Sequence, residues 1–583
     1  MIAAKFFTMS ERNRASRLRP LLLLVLLACV PVMPAADAAA PVPPSQNLTI
    51  NLIRRLVQRG VLPQADADDL MKLAEADTAA AKAEAAAQPA PATTVATTPA
   101  PAASDTVRVT YVPEFVRKQI RDEVKQEVLT QARDERWAAP RSFPEWVSRY
   151  TFFGDFRLRG EGIFYPSGND NTGAFPNFNA INTGSPFDVA GTVFSPQNNV
   201  DQNRQRERLR VRLGADIDMG EGYTTGIRIA TGENNSPVTT NQSLGTSGGF
   251  SKYAIWLDRA FIKYRSANWS ITAGRFDSPF FATQMIFDED LGFDGVAAAA
   301  KIAAGEKLKP FATLGAFPVF NSSLNFSSIQ PAKFKSQDKW LLGGQLGSDV
   351  QVSKDLTAKM GAAYYYFQNI AGKLSSPFTP VSAQDNGDTD ETRPAFAQTG
   401  NTYFPLRNIV PNVLNNFGTI NQFQYFGLAT PFQELVLNGR LDYNRLEPIQ
   451  LSLIGEWVNN LAFHRGAIRK KAVNNLGPGG TGDFVGGQNG WNVEFKLGSA
   501  ALTQRGDWNA SLGYRYLQSD AVVDGFTDSD FGNGGTNLEG FTLGGSYALS
   551  HRTWLKLLWI STNNIAGPRY KNDIIQFDFN GKF

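Results

Sequence analysis

From residue 148 to the C terminus the chain carries a pattern of period two, and this pattern limits the fold more than any other feature. Between Arg208 and Met219, the residues Leu209, Val211, Leu213, Ala215, Ile217 and Met219 alternate with Arg208, Arg210, Arg212, Gly214, Asp216 and Asp218. Successive residues of a strand point to opposite faces, so one face of this segment is wholly apolar and the other is polar or small. In a soluble sandwich such an apolar face meets a second sheet. In a membrane barrel it meets lipid, and the charged face meets a water-filled interior. The pattern predicts sixteen strands, at 151–164, 206–219, 223–232, 254–265, 269–275, 295–303, 310–317, 340–352, 356–367, 434–443, 449–459, 491–498, 508–518, 538–549, 553–562 and 573–583. Their lengths lie near the ~9–11 residues that a tilted membrane strand needs.

The connections support the barrel. Short links such as Gly220-Glu221-Gly222, Ser266-Ala267-Asn268, Ser353-Lys354-Asp355 and Ser550-His551-Arg552 alternate with long ones at 165–205, 233–253, 276–294, 318–339, 368–433, 460–490, 519–537 and 563–572. Short turns on one side and long loops on the other are the rule for transmembrane barrels, and they place both chain ends on the periplasmic side. The 368–433 segment is long enough to hide a further hairpin, which would make eighteen strands. Trp269, Trp340, Trp491, Trp508 and Trp554 each stand at a strand start, where interfacial aromatics are expected. The chain ends on Phe583 behind an alternating strand, similar to the assembly signature of outer-membrane proteins, which implies contact with a barrel-assembly machinery. No sequence period of solenoid length is present.

Composition narrows the alternatives. Apolar residues make up 42% and charged residues 19%, which excludes disorder of the whole chain. The mean hydropathy of −0.25, with 52 Gly and 41 Phe, does not fit a helical membrane bundle. Lys and Arg number 57 against 54 Asp and Glu, so no basic surplus points to nucleic acid. One Cys permits no intrachain disulfide, and two separated His, His464 and His551, leave little for a zinc site or a His-based catalytic centre. With no G-x-S-x-G elbow either, the expectation is a protein that is not an enzyme and carries no cofactor and no metal.

Residues 1–38 read as an export signal: Arg12, Arg14, Arg17 and Arg19, an apolar run from Leu21 to Val32, and a cleavage triplet Ala36-Asp37-Ala38. Leu26-Leu27-Ala28-Cys29 offers a rival lipobox, with Cys29 lipidated. Residues 39–75 read as a helical periplasmic segment broken at Gly60, residues 76–106 as an Ala/Pro/Thr-rich linker, residues 107–147 as a periplasmic helix, and residues 148–583 as the barrel. Within 107–147, Val116, Ile120, Val124, Val128 and Ala132 form one stripe on a charged helix, which fits either self-association or packing against the barrel mouth.

This arrangement resembles the bacterial putative-porin family of Gram-negative outer membranes. The resemblance is carried by Leu52 to Leu62 (LIRRLVQRGVL), by Tyr111-Val112-Pro113-Glu114 through Trp137, by Trp146 leading to Gly154-Asp155-Phe156-Arg157-Leu158-Arg159, and by Ala273-Gly274-Arg275. It implies an outer-membrane porin and, by similarity to porins generally, a homotrimer in contact with membrane lipid and lipopolysaccharide.

The inward faces suggest where selectivity lies. Arg157, Arg159, Arg208, Arg210, Arg212, Arg228, Arg259 and Lys263 fall on inward positions of consecutive strands and are expected to form a basic wall. A lipid-facing Arg near the midplane would cost ~2–4 kcal/mol. The third long loop holds Asp277, Asp288, Glu289, Asp290 and Asp294, and in general porins that loop folds inward. An acidic loop opposite a basic wall would set a transverse field across a constriction. Residues 150–583 hold 38 basic and 38 acidic side chains, so any anion preference must come from position rather than total charge. Strict alternation turns Arg275 outward or to the rim. Asp385-Asn386-Gly387-Asp388-Thr389-Asp390-Glu391 offers oxygen ligands for Ca²⁺ without completing an EF-hand spacing, and Arg469-Lys470-Lys471 could meet lipopolysaccharide phosphates.

Three functions compete on this reading. The first is a diffusion porin for small polar solutes with modest anion preference. The second is a structural tether that reaches the cell wall through the head. The third is an outer-membrane hydrolase, for which the residues offer no nucleophile–base set.

Overall fold

A computed structural model describes residues 145–322, 328 and 332–583, together with Lys72, Glu123 and Val124. The export signal, the segment at 39–75, the linker at 76–106 and the helix at 107–147 lie outside the described residues, apart from those three positions and the last residues of the helix.

Sixteen antiparallel strands form one closed wall. They are β1 Tyr150–Phe164, β2 Arg204–Gly220, β3 Tyr223–Ala230, β4 Trp256–Arg265, β5 Trp269–Phe276, β6 Phe293–Lys301, β7 Leu308–Phe320 and β8 Lys339–Ser353. They continue as β9 Leu356–Gln368, β10 Phe432–Leu446, β11 Ile449–Asn460, β12 Asn489–Ser499, β13 Trp508–Leu517, β14 Leu538–Ala548, β15 Thr553–Asn564 and β16 Lys571–Lys582. Each strand pairs with its sequence neighbour, and β1 closes on β16 from Asp155↔Lys582 to Phe164↔Asp573. No edge is left unpaired, as a lipid environment requires. The 369–431 loop does contain a hairpin, Tyr403–Pro405 against Phe426–Leu428, but it forms a separate two-stranded sheet, so the wall stays at sixteen strands.

The wall is inverted relative to a soluble protein. Outward residues such as Leu213, Ile227, Leu314, Leu346, Leu512 and Phe577 are exposed, while Arg159, Gln345, Glu434, Asn438, Glu456 and Asp578 are buried inside. Apolar residues facing out and polar residues facing in, alternating along each strand, is the arrangement that lipid outside and polar groups inside select. Trp269, Trp508 and Trp554 sit at the end of the barrel that carries the short turns, and Trp340 and Trp491 at the end that carries the loops, because odd and even strands run in opposite directions. The single set of strand-start tryptophans in the sequence thus splits into two belts.

Several loops fold inward, and three of them matter for the arginine-bearing side and the side opposite it. They are loop 3 (277–292), loop 5 (369–431) and loop 7 (518–537). Their Met285, Ile286, Leu406, Leu428, Ala521 and Val522 pack with inward Phe317, Leu341, Tyr365, Val436, Val458 and Leu517 in one apolar cluster. Each large apolar side chain buried there contributes ~1.5–3 kcal/mol. Loop 3 leaves the wall where Gly274 and Gly295 face each other across β5 and β6. Both have positive φ, +118° and +142°, which only glycine adopts without strain.

Candidate functional site

The register of β1 on β2 creates an electrostatic problem. Arg157 stands opposite Arg210 and Arg159 opposite Arg208, flanked by Asp155 opposite Arg212 and Glu161 opposite Arg206. Like charges directly opposite destabilise a ladder. Carboxylates from both neighbouring strands and loops resolve the conflict. Arg210 and Arg212 donate to Asp155 at 2.9 and 2.6 Å. Arg159 donates to both oxygens of Asp578 on β16, at 2.7 and 2.9 Å, and to Asp530 of loop 7 at 2.8 Å. Asp290 of loop 3 lies 3.1 Å from Arg212 and 3.5 Å from Arg210. Arg206 pairs with Glu161 at 2.5 Å. Arg157 has no carboxylate partner among the described residues; it donates to Asn241 of the 231–255 loop at 2.6 Å.

The arc continues on β3 and β4. Arg228 pairs with Asp258 at 2.5 Å and Asp277 at 3.2 Å, and Arg259 meets the same two acids. Asp258 reaches the interior because a register shift between Arg228 and Ile229 turns two consecutive residues, Asp258 and Arg259, inward. Strict alternation would have put Asp258 in lipid. Asp530, Asp258 and Asn241 are therefore partners that sequence periodicity misses, since loop contacts and bulges break the period. Asp578 was legible as an inward residue of the last strand.

The acids named from the third loop divide. Asp277 and Asp290 meet the arginines. Burial alone would raise their carboxyls, but Arg259 and Arg228 hold Asp277 below the usual carboxylate range, and Arg210, Arg157 and Arg212 do the same for Asp290. Asp288 turns to loop 7, accepting from Asp290 N at 2.8 Å and Ser529 N at 2.9 Å. Burial, with Asp528 and Asp290 nearby, pushes Asp288 well above the usual range. Glu289 is exposed. Asp294 lies in β6 and pairs with Arg275 at 2.7 Å. Lys263 follows Arg259 and Phe261 on the inward face of β4, nearer the turn end, and forms no ion pair among the described residues.

On the far side, loop 3 is held by neutral and acidic groups. Gln345 exchanges two hydrogen bonds with the Phe281 backbone, 2.8 and 2.7 Å. Asn438 also donates to Phe281 O, and Glu456 accepts from Thr283 N at 3.0 Å. Loops 3 and 7 are joined by Asp288 N to Phe526 O at 2.8 Å and Asp528 N to Gln284 O at 2.9 Å. Loop 3 thus spans the interior from the arginine arc to β8–β11.

The other constellations are bonded mostly within the loops, although Asp385 Oδ1 and Thr389 Oγ1 are buried without a hydrogen-bond partner among the described residues. Asp385 accepts from Val381 N and Ser382 N, and Asp390 is gripped by Arg407 through both carboxylate oxygens at 3.0 and 2.6 Å. No grouping of metal-ligating residues is found among the described residues. Arg469 pairs with Asp483 at 2.7 Å, and Lys471 sits 3.8 Å over the Phe404 ring. His464 caps a short helix in the 461–488 loop, and His551 lies in the turn between β14 and β15.

A closed barrel, apolar outside and polar inside, agrees with the family comparison. The model of the family described as Putative porin matches residues 46–583. The chain belongs to this family. The porin is an outer-membrane channel for small solutes. No curated protein sequence matches it. Among solved structures, the porin is similar to the outer-membrane channel DcaP of Acinetobacter baumannii at 11% identity, covering 74% of this chain and 97% of that one with a TM-score of 0.34. It is similar to OprB of Pseudomonas putida at 11% identity, 77% and 97% coverage and a TM-score of 0.40. It is similar to an anion-selective porin of Comamonas acidovorans at 12% identity, 74% and 99% coverage and a TM-score of 0.34.

Proposed function

We propose that the channel conducts small polar solutes by passive diffusion with a modest preference for anions, and that the arginine arc lines the conducting path. The observation that carries this reading is the charge count of the arc. Arg157, Arg159, Arg206, Arg208, Arg210, Arg212, Arg228 and Arg259 face Asp155, Glu161, Asp258, Asp277, Asp290, Asp530 and Asp578, eight cations against seven acids. The surplus is one charge, which supports a weak preference rather than a strict filter. Lys263, Lys309, Lys359 and Lys556, inward by alternation with buried neighbours, lack ion pairs among the described residues, as do the inward acids Asp216, Glu434 and Glu456. Asp277 and Asp290 of loop 3 form the acidic side of the constriction in this reading, with Glu289 and the Asp294–Arg275 pair nearby and Asp288 turned to loop 7.

Reconstitution into a planar bilayer tests it. Stable conductance steps with a reversal potential shifted toward the anion side of a KCl gradient are expected. Absence of steps would remove the channel reading, and a cation-shifted potential would remove the preference. We also propose a homotrimer, as porin resemblance implies. Native mass measurement in mild detergent should give three copies, and monomers alone would count against it. Phe583, whose backbone exchanges hydrogen bonds with Gly154 at 2.9 and 3.0 Å, is proposed as the end of the assembly signal. Deleting it should slow insertion and leave the conductance of inserted barrels unchanged. A periplasmic head at 39–147, in reach of the cell wall, completes the proposal. Removal of 39–105 should leave conductance intact.

A further inference from the structure

We propose that a second site, in the cavity beside Lys339, binds a small amphipathic monoanion, an aromatic or aliphatic carboxylate, through the Lys339 ammonium. Lys339 is the first residue of β8 and is only 2% exposed. Its Nζ donates to Thr392 O at 3.2 Å and Arg393 O at 2.5 Å, and lies 5.1 Å over the Phe320 ring. No carboxylate forms an ion pair with it among the described residues, and the sequence from 323 to 331 contains no Asp or Glu. Nearby charge does not compensate it either. Arg393 and Lys373 repel the ammonium, while Glu391 attracts it from beyond ion-pair distance. Lys373 itself donates to the neutral oxygens of Gln337 and Asn369, and Arg393 to the Asn182 and Asp390 carbonyls. Three cations therefore gather where one acid stands.

A buried charge without a counter-charge is expensive, and an ammonium has three donors, of which carbonyls occupy two here. An anion in the cavity would supply the counter-charge and the third acceptor, and so hold the side chain in its charged form. What else it carries is set by the walls. Lys339 lines a cavity of about 760 Å³ whose other lining includes Phe287, Phe293, Phe317, Leu341, Phe396 and Phe526. The lining mixes these apolar side chains with polar ones, among them Glu233, Arg275 and Asp294 besides Lys339, and an apolar wall with a few polar groups is the usual form of a small-molecule site. The aromatic residues favour a ligand that brings an apolar body over a bare inorganic ion. They accept a ring or alkyl body whose single carboxylate reaches Lys339. The inference does not depend on the conduction reading, because equilibrium binding needs no ion current.

The test is calorimetric titration of the full chain in detergent at neutral pH with 4-phenylbutyrate and with the neutral 4-phenylbutanol. The carboxylate should bind about tenfold tighter than the alcohol, the size of one charge-assisted hydrogen bond. Lys339→Met should abolish that gap while keeping the heat-modifiable barrel band on gels. Equal affinities in the unaltered protein, no carboxylate binding up to roughly millimolar concentration, or a gap that survives Lys339→Met would each overturn the proposal. Should Lys339→Met not fold, Phe396→Ala decides. It should weaken both ligands by a similar factor, and unchanged binding of both would place them elsewhere.

Discussion

The two sides of the barrel interior hold their loops by different physics. On the β1–β4 side and β16, loops 3 and 7 are tied to the wall by Asp290 and Asp530 against arginines, with contacts of 2.8–3.5 Å. On the β7–β13 side, loops 5 and 7 are seated by apolar contacts. Leu406, Leu428 and Val522 are at most 1% exposed against Tyr365, Val436 and Val458. The charged side is directional and responds to salt and protonation. The apolar contacts are not directional and do not respond to salt. A barrel that must keep water inside cannot fill its interior with hydrocarbon throughout, so the apolar seat is confined to one wall. The arginines that crowd the other wall need the loop acids as counter-charges as much as the loops need an anchor.

The largest test of this contrast is Arg159→Ala. It leaves Asp530 and Asp578 buried without their cation, and breaking such a pair costs roughly 3–5 kcal/mol. The loss should show in urea unfolding followed by gel shift, together with faster proteolysis in loop 7. Leu406→Ala on the opposite wall should cost about 2–5 kcal/mol through the cavity it leaves. Its effect should be the same at low and high salt, whereas a milder cut on the charged side at the exposed carboxylate of Asp277, Asp277→Asn, should lose its effect as salt rises. Equal salt dependence of the two would erase the distinction.

A smaller effect separates the acids by pH. Burial pushes Asp520 up to about 6 and, with Asp520 nearby, Asp524 up to about 7. Both hold loop 7 to loop 5, Asp520 through Thr402 at 2.6 and 2.8 Å and Asp524 through the Tyr403 hydroxyl at 3.1 Å. A carboxyl whose folded pKa lies above its unfolded one binds protons on seating. The seat therefore strengthens as pH falls through about 7 and 6, and the gain is complete below the ordinary carboxylate value. Asp530 behaves in the opposite way. Burial would raise it, but Arg159, Arg208 and Arg157 hold it far below the usual range, so its contribution persists until pH falls well below the ordinary carboxylate value. Acidification from neutral to mildly acid pH should slow proteolysis in loop 7 a few-fold. Faster cleavage on acidification would mean that the buried acids act as anions holding the seat.

Much of this was legible in the sequence because lipid enforces it. The alternation in β2 predicted 206–219 against Arg204–Gly220 in the structure, and the β9 expectation of 356–367 meets Leu356–Gln368. A one-residue slip would turn every arginine into lipid, so the period is strict. The inward side is less constrained, and there the sequence says less. Asp258 enters through a bulge. Asp530 comes from a loop with no period. The apolar cluster of Phe280, Tyr403 and Leu406 lies in loops whose hydrophobic residues look like ordinary loop scatter until they fold inward. Lys339 reads as an ordinary strand-end lysine, because only the tertiary fold of loop 5 buries it.

The account turns on whether the arginine arc lies in the conducting path, and Arg157 isolates that question. Among the described residues it is the arginine of the arc without a carboxylate partner, so Arg157→Gln removes the surplus charge and orphans no acid described there. The measurement is the reversal potential of single inserted channels across a KCl gradient, for the unaltered protein and for Arg157→Gln, at low and high salt. The account predicts a shift toward cations in the variant, larger at low salt, with conductance steps retained. A reversal potential that does not move at either salt concentration would place the arc outside the conducting path and contradict it.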